Sequence, residues 1–286
     1  MPARGNVTIP DGVSLVPERL KSIHQMRPLL TDSHCHLDRL SADLDEVLAE
    51  ANEAGVGCFL CVSINMENVE RVIAIAREYP SVYASVGVHP NEKEGPEPAA
   101  EELSALAEAP RVVAIGETGL DYFHGKGELE WQRERFRRHI AVAKACGKPL
   151  IVHMRDSARD TLSILKEEGA AEVGGVMHCF TGDWQTAAEA MEMGFYISFS
   201  GIVTFKNADA LREVAVRVPE QRLLIETDSP YLAPVPYRGK PNRPAYVRLV
   251  AERLAELRHI PLEQLAEQTT KNFHQLFQTN RVAVVP

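Results

Sequence analysis

The chain runs to 286 residues, 45% hydrophobic and 25% charged, the balance of an ordinary globular protein and the length of one closed α/β barrel. It has no run of roughly eighteen apolar residues, which excludes a membrane-spanning helix, and its five scattered cysteines do not form a disulfide framework. A net charge of −9 excludes a protein that coats nucleic acid through general basicity, but not an enzyme that grips a few phosphates locally.

Residues 1–28 carry Pro2, Gly5, Pro10, Gly12, Pro17 and Pro28 and no sustained periodicity, so they are expected to form an N-terminal extension ahead of a domain spanning 29–286. They also lack the basic and apolar regions of a secretory signal, which makes the cytoplasm the expected location. Eight near-continuous apolar runs follow, at 30–36, 58–63, 83–89, 112–117, 150–154, 175–179, 195–200 and 223–228. Such runs are expected of strands buried on both faces. Amphipathic helical patterns alternate with them at 43–54, 66–78, 99–108, 130–146, 158–168, 186–193 and 209–216, and two more, 244–257 and 262–277, close the chain. The alternation predicts a (β/α)8 TIM-like barrel. A doubly wound sheet is the rival, but it calls for a Gly-rich turn after the first strand, where this chain has His34-Cys35-His36.

Ionisable residues stand at the C-terminal ends of these runs. The first ends in Asp32-Ser33-His34-Cys35-His36, the third in His89, the fourth in Glu117, and the fifth, sixth and eighth in His153, His178 and Asp228. A barrel brings those ends together on one face, and strand alternation lets His34 and His36 reach one ion. Glu117 and Asp228 each follow apolar runs, where an unpaired carboxylate would be costly to desolvate. His34, His36, Glu117, His153, His178 and Asp228 are therefore expected to hold two divalent ions. The nitrogen and oxygen donors suit Mg²⁺, Mn²⁺ or Zn²⁺ without choosing among them. In this reading Glu117 bridges the ions, while Asp228 binds one and accepts the proton of the attacking water.

Other residues carry weaker signals. Cys58 and Cys61 form a C-x-x-C inside a strand, where alternation points them to opposite faces, and Cys35 and Cys179 are expected to turn away from the pocket and pack. Arg155, Arg238 and Lys240 sit in loops where barrels bind phosphate, or simply face solvent. His89 is either a hydrogen-bond donor to substrate or ligand, or a His-Pro strand end held by backbone. Tyr122 and Phe123 either stack on a base or pack beneath their loop.

Taken together, the motifs resemble the TatD-type DNase family of amidohydrolase-like metal-dependent hydrolases. They are Thr-Asp-Ser-His-Cys-His-Leu-Asp at 31–38, Ser-Val-Gly-Val-His-Pro at 85–90, Ile-Gly-Glu-Thr-Gly-Leu-Asp-Tyr at 115–122, Leu-Ile-Val-His-Met-Arg at 150–155, His-Cys-Phe-Thr-Gly at 178–182, Ser-Phe-Ser-Gly at 198–201 and Glu-Thr-Asp-Ser-Pro-Tyr-Leu-Ala-Pro at 226–234. The resemblance implies a two-metal centre and hydrolysis of DNA phosphodiesters, often 3′ to 5′ on single strands. Carried over by position, it implies that His34, His36, Glu117 and Asp228 hold one ion, while His153, His178 and the shared Glu117 hold the other. Two features depart from the family: the extra residues 1–28, and Asn242-Arg243-Pro244 where Asn-Glu-Pro is usual, with Arg243 either on phosphate or facing solvent.

DNA is thus the expected substrate, with no membrane and no obligate protein partner. The rival enzyme hydrolyses another bond, such as an aminoacyl ester, lactone or amide, because one barrel supports many hydrolyses. A non-enzymatic protein keeping metal for stability alone would have a closed site.

Overall fold

The eight apolar runs become eight parallel strands in the computed structural model, which describes residues 30–279 apart from 96 and 126. The expected extension, 1–28, lies outside the described residues, as do 280–286. The strands are β1 (Leu30–Cys35), β2 (Val56–Cys61), β3 (Val82–Val86), β4 (Val112–Asp121), β5 (Leu150–Arg155), β6 (Gly175–Met177), β7 (Phe195–Phe199) and β8 (Leu223–Ile225). Each pairs with the next in chain order. A parallel bridge from Cys35 to Ser229, just past β8, brings the two ends of the sheet together. That sequential order is a (β/α)8 barrel; a doubly wound sheet reverses its strand order partway.

The helices are α1 (Leu44–Glu53), α2 (Val69–Glu78), α3 (Ala100–Ala107), α4 (Glu130–Cys146), α5 (Ala158–Glu167), α6 (Trp184–Glu192), α7 (Asp209–Arg217), α8 (Val247–Arg258) and α9 (Leu262–Leu276). Where their starts differ from the sequence pattern, local hydrogen bonds explain it. Helix α2 begins late because the Asn65 side chain accepts from Asn68 N–H and holds a turn ahead of it. Helix α6 begins early because Asp183 caps it, accepting from Thr186 N–H. The stretch at 244–257 opens as a 3-10 turn, Pro244–Tyr246, before α8.

Inside the barrel, Leu60, Val113, Ile151, Val176, Tyr196 and Leu224 form one apolar cluster. Helix α9 closes it with Phe273, Leu276 and Phe277. A larger cluster lies between the strands' outer faces and the helices. The interior is therefore a packed layer, and the ionisable residues gather at the mouth above it.

Strand β4 is longer than its apolar run. Pairing with β5 shifts register between Ile115 and Thr118, then resumes through Gly119 and Leu120 to Asp121. Glycine is required there: at φ +130° a Cβ on Gly119 would lie 2.1 Å from the His153 carbonyl oxygen. The extension carries a second carboxylate, Asp121, to the mouth of the barrel.

Candidate metal centre

Two residues beyond the apolar layer, at the same strand parity, the side chains change character. His153 follows Ile151, His178 follows Val176, and Glu226 follows Leu224. Pairing of β1 with β2 is irregular between Asp32 and Cys35, the stretch from which His34 and His36 reach the mouth.

Glu117 is the hub. Its Oε2 lies 3.3 Å from His34 Nε2 and 4.0 Å from His36 Nε2, while its Oε1 lies 2.8 Å from His178 Nε2 and 3.1 Å from His153 Nδ1. Asp228 Oδ1 closes the first side, 3.4 Å from His36 Nε2 and 3.7 Å from His34 Nε2. Burial pushes the Glu117 carboxyl up, but His178 and His89 outweigh it and hold it well below the usual carboxylate range. Burial likewise pushes Asp228 up, and its bond to His36 and the adjacent imidazoles bring it down. His34 is pushed down, first by burial and then by the charge of His178.

A second layer of hydrogen bonds decides which nitrogen each imidazole turns inward. His36 donates Nδ1–H to the Val62 carbonyl at 2.9 Å, His178 pairs Nδ1 with Glu226 at 3.1 Å, and His153 pairs Nε2 with Asp121 at 3.1 Å. Each turns the opposite nitrogen toward Glu117 or Asp228, the arrangement that orients metal-binding histidines. Burial pushes these three rings down, but the facing carboxylates outweigh it and raise them. His89 is set the other way. The Asn91 backbone N–H bonds its Nδ1 at 3.0 Å, so in the neutral ring Nε2 carries the proton and donates toward Glu117 Oε1, 3.3 Å away. Its position would allow it to join a cluster with Glu117 and His153, but its tautomer makes it a donor.

The donor set fits divalent ions. His34 Nδ1 is buried without a partner, and His34 Nε2 and His178 Nε2 lie beside Glu117 without an aligned hydrogen bond, a costly arrangement that a cation relieves. His34, His36 and Glu117 form one group close enough to hold an ion, and His34, His178 and Glu226 form another. All six expected ligands converge.

Not every expected residue faces the pocket. Tyr122 turns out of it: its hydroxyl donates to Asp160 at 2.7 Å and Arg133 lies across its ring, so it packs beneath the loop rather than stacking on a base. Cys179 corrects the opposite expectation. The ladder of β6 continues one residue past Met177, with His178 N–H on the Val152 carbonyl, and breaks at Cys179, whose φ of +42° turns it to line the cavity with Sγ 3.1 Å from Ser200 Oγ. Cys35 packs as expected, its Sγ donating to the Leu60 carbonyl. Arg243 does not reach the pocket; it faces solvent, where Glu50 pairs with it at 2.6 Å. Arg155 lines the cavity, Arg238 lines a groove beside it, and Lys240 is exposed and lines neither.

Sequence reasoning missed the supporting carboxylates. Asp121 is held by His153, by Asn91 Nδ2 at 2.7 Å and by His124 N–H at 2.8 Å; these bonds outweigh burial and take it well below the carboxylate range. Glu226 stands two residues before Asp228, at the parity of Leu224, and that spacing was the available signal. Asp32 accepts from Thr227 N–H at 2.8 Å and Thr227 Oγ1 at 2.5 Å, tying β1 to the turn that carries Asp228 at φ +58°. Burial pushes the Asp32 carboxyl up to about 8.

Residues 31–278 match the model of the TatD-related DNase family. An uncharacterized metal-dependent hydrolase of Escherichia coli K12, YcfH, is 49% identical over 253 residues, covering 87% of this chain and 95% of that protein. A Citrobacter rodentium protein named 3′-5′ ssDNA/RNA exonuclease TatD is 36% identical over 241 residues, covering 82% and 92%. Among solved structures, the TatD homologue YJJV of Escherichia coli K12 superposes with a TM-score of 0.84 at 32% identity, covering 91% of this chain and all of that one.

Proposed function

The chain belongs to the TatD-related DNase family of metal-dependent hydrolases, and from that premise we propose that it is a two-metal phosphodiesterase that shortens single-stranded DNA from the 3′ end. The observation that carries the reading is the division of Glu117: one carboxylate oxygen faces His34 and His36, the other His153 and His178. One carboxylate serving two histidine sets is what a bridging ligand between paired ions requires. The relative from Citrobacter rodentium supports the choice of substrate.

In this reading His34, His36, Glu117 and Asp228 would hold one ion, and His153, His178 and Glu117 the other. Divalent ions bound there (Mg²⁺, Mn²⁺ or Zn²⁺) polarise the phosphoryl group and make water acidic enough to attack near neutral pH. Asp228 Oδ takes the water proton as the water oxygen bonds to phosphorus and the bond to the 3′ oxygen breaks. That oxygen takes the proton back, releasing a nucleoside 5′-monophosphate. His89 Nε2–H, fixed as a donor by Asn91, hydrogen-bonds a phosphoryl oxygen. Arg155, Arg238 and exposed Lys240 contact the strand's phosphates. We also place the enzyme in the cytoplasm, a reading that its five free cysteines favour; no helix among the described residues is long and apolar enough to cross a membrane.

Metal-stripped protein, given Mg²⁺ or Mn²⁺ and a 5′-labelled oligonucleotide, is expected to yield a ladder shortening from the 3′ end, absent in Asp228→Asn. No cleavage by protein that binds two metals would move the reaction to another hydrolysable bond.

A further inference from the structure

The rim of the cavity is unlike the rest of the surface. Four large apolar side chains are exposed among the described residues, Phe123, Val216, Tyr231 and Val235. Three of them stand on the loops after β4 and β8, and Phe123 and Tyr231 line the cavity itself. Phe123 is 57% exposed, and the Arg155 guanidinium lies across its ring at 4.1 Å. A second groove adjoins the cavity, sharing Thr181 and Ile202 with it. There the Arg238 guanidinium lies across Phe205 at 3.6 Å, beside exposed Lys206. Cavity and groove each hold about 500 Å³, within the range of small-ligand pockets.

Arginines over aromatic rings occur elsewhere too, as at Arg217 and Arg222, but those at the mouth line the two cavities. Arg133, Arg137, Arg243, Arg248 and Arg253 all pair with carboxylates. Arg155, Arg238 and Lys206 form no ion pair among the described residues, in a chain of net charge −9. The two arginine–phenylalanine pairs sit after β4–β5 and after β7–β8, on either side of the loop that follows β6 with His178 and Thr181. Each offers a planar guanidinium backed by an aromatic ring, with Phe123 itself also exposed, a surface suited to an unpaired base and its phosphate. In a duplex, both faces of each base are already stacked.

We infer that the mouth is a two-platform binding site for a single-stranded polynucleotide, with one base on Phe123–Arg155, another on Phe205–Arg238, and the intervening backbone across the metal centre. This deepens the nuclease reading and rests on it for the position of the scissile phosphate. The platforms account for a preference for single strands by stacking, which tolerates any base sequence.

The test is binding of a fluorescein-labelled, phosphorothioate-linked hexathymidylate to the metal-loaded protein, read by anisotropy, with hexauridylate and a blunt DNA hairpin alongside. Phe123→Ala, Phe205→Ala and Arg238→Ala should each weaken strand binding by about 5- to 150-fold, the range for loss of one stacked base. Arg217→Ala, which removes a guanidinium lying across Trp184 away from both cavities, should leave binding within twofold. The hairpin should bind at least tenfold more weakly than either strand, and tight binding of DNA or RNA strands supports the proposal equally. It is overturned if the two phenylalanine variants bind like the parent, or if the hairpin binds as tightly. Cleavage of an ordinary oligonucleotide separates the two readings. Cutting with platform-independent binding removes this inference and keeps the nuclease; platform-dependent binding without cutting removes the nuclease and keeps the platforms. Neither binding nor cutting removes both.

Discussion

The bottom and the mouth of the barrel are built from the same strands, two residues apart, and do opposite things. At the bottom, Ile151, Val176 and Leu224 meet Phe273 of α9 in a dry layer. At the mouth, His153, His178 and Glu226 occupy the next inward positions; the two histidines face the Glu117 carboxylate, and Glu226 pairs with His178 from behind. The apolar layer pays the cost of folding, which lets the mouth keep buried imidazole nitrogens without aligned hydrogen bonds and a carboxylate among them. A barrel thus divides stability and chemistry between its two ends.

Substitutions at either end can break that division. The largest expected effect is at the mouth: Asp228→Asn should lower turnover by roughly a hundred- to ten-thousand-fold, the usual contribution of a general base. Melting of the metal-free protein should hardly change; a large loss of metal-free stability would mean that the mouth also holds the fold. At the bottom the pattern reverses. Phe273→Ala empties a fully buried position and should cost about 3–5 kcal/mol in urea unfolding, while the folded fraction keeps its metal content by elemental analysis. Loss of metal without loss of stability there would contradict the division.

His139 on α4 braces the mouth from outside the barrel, and its effect depends on pH. It donates Nδ1–H to the Arg135 carbonyl and accepts Val88 N–H at Nε2, next to His89. Burial pushes it down to about 4 from the ordinary value of 6.5. Because the folded pKa is depressed, the ring is neutral in both states above pH 6.5 and contributes no pH dependence there. As pH falls from 6.5 towards 4 the unfolded chain takes up the proton first, and folding loses up to about 3 kcal/mol. Urea midpoints of the metal-free protein between pH 7.5 and 4.5 should therefore fall more steeply for the parent than for His139→Gln. Parallel slopes would dismiss the idea.

The smallest effect sharpens the comparison within the mouth itself. Glu226→Gln keeps the shape but removes the charge behind His178, and should weaken metal affinity roughly 10- to 100-fold. Titration with a competing chelator measures it, and an unchanged affinity would show that Glu226 only fills space.

The amino-acid sequence by itself determined the barrel, the register of chemistry on it and the six residues, expected to hold metal, that converge at its mouth. Burial on both faces writes each strand as a local apolar run, and polar side chains interrupt those runs only near strand ends. The C-terminal end of helix α4 was legible because Gly147, at φ +62°, stops it locally. Contacts between distant segments had no local signature. Residue spacing cannot show that Gly119 lets β4 run on to Asp121, that Asn91 sets the His89 tautomer, or that Glu50 claims Arg243. Nor can it show that Cys179 enters the cavity once β6 ends, or that Tyr122 leaves it for Asp160 while its neighbour Phe123 stays at the rim. Tertiary structure decided these, because hydrogen bonds between loops depend on positions that only the closed barrel brings together.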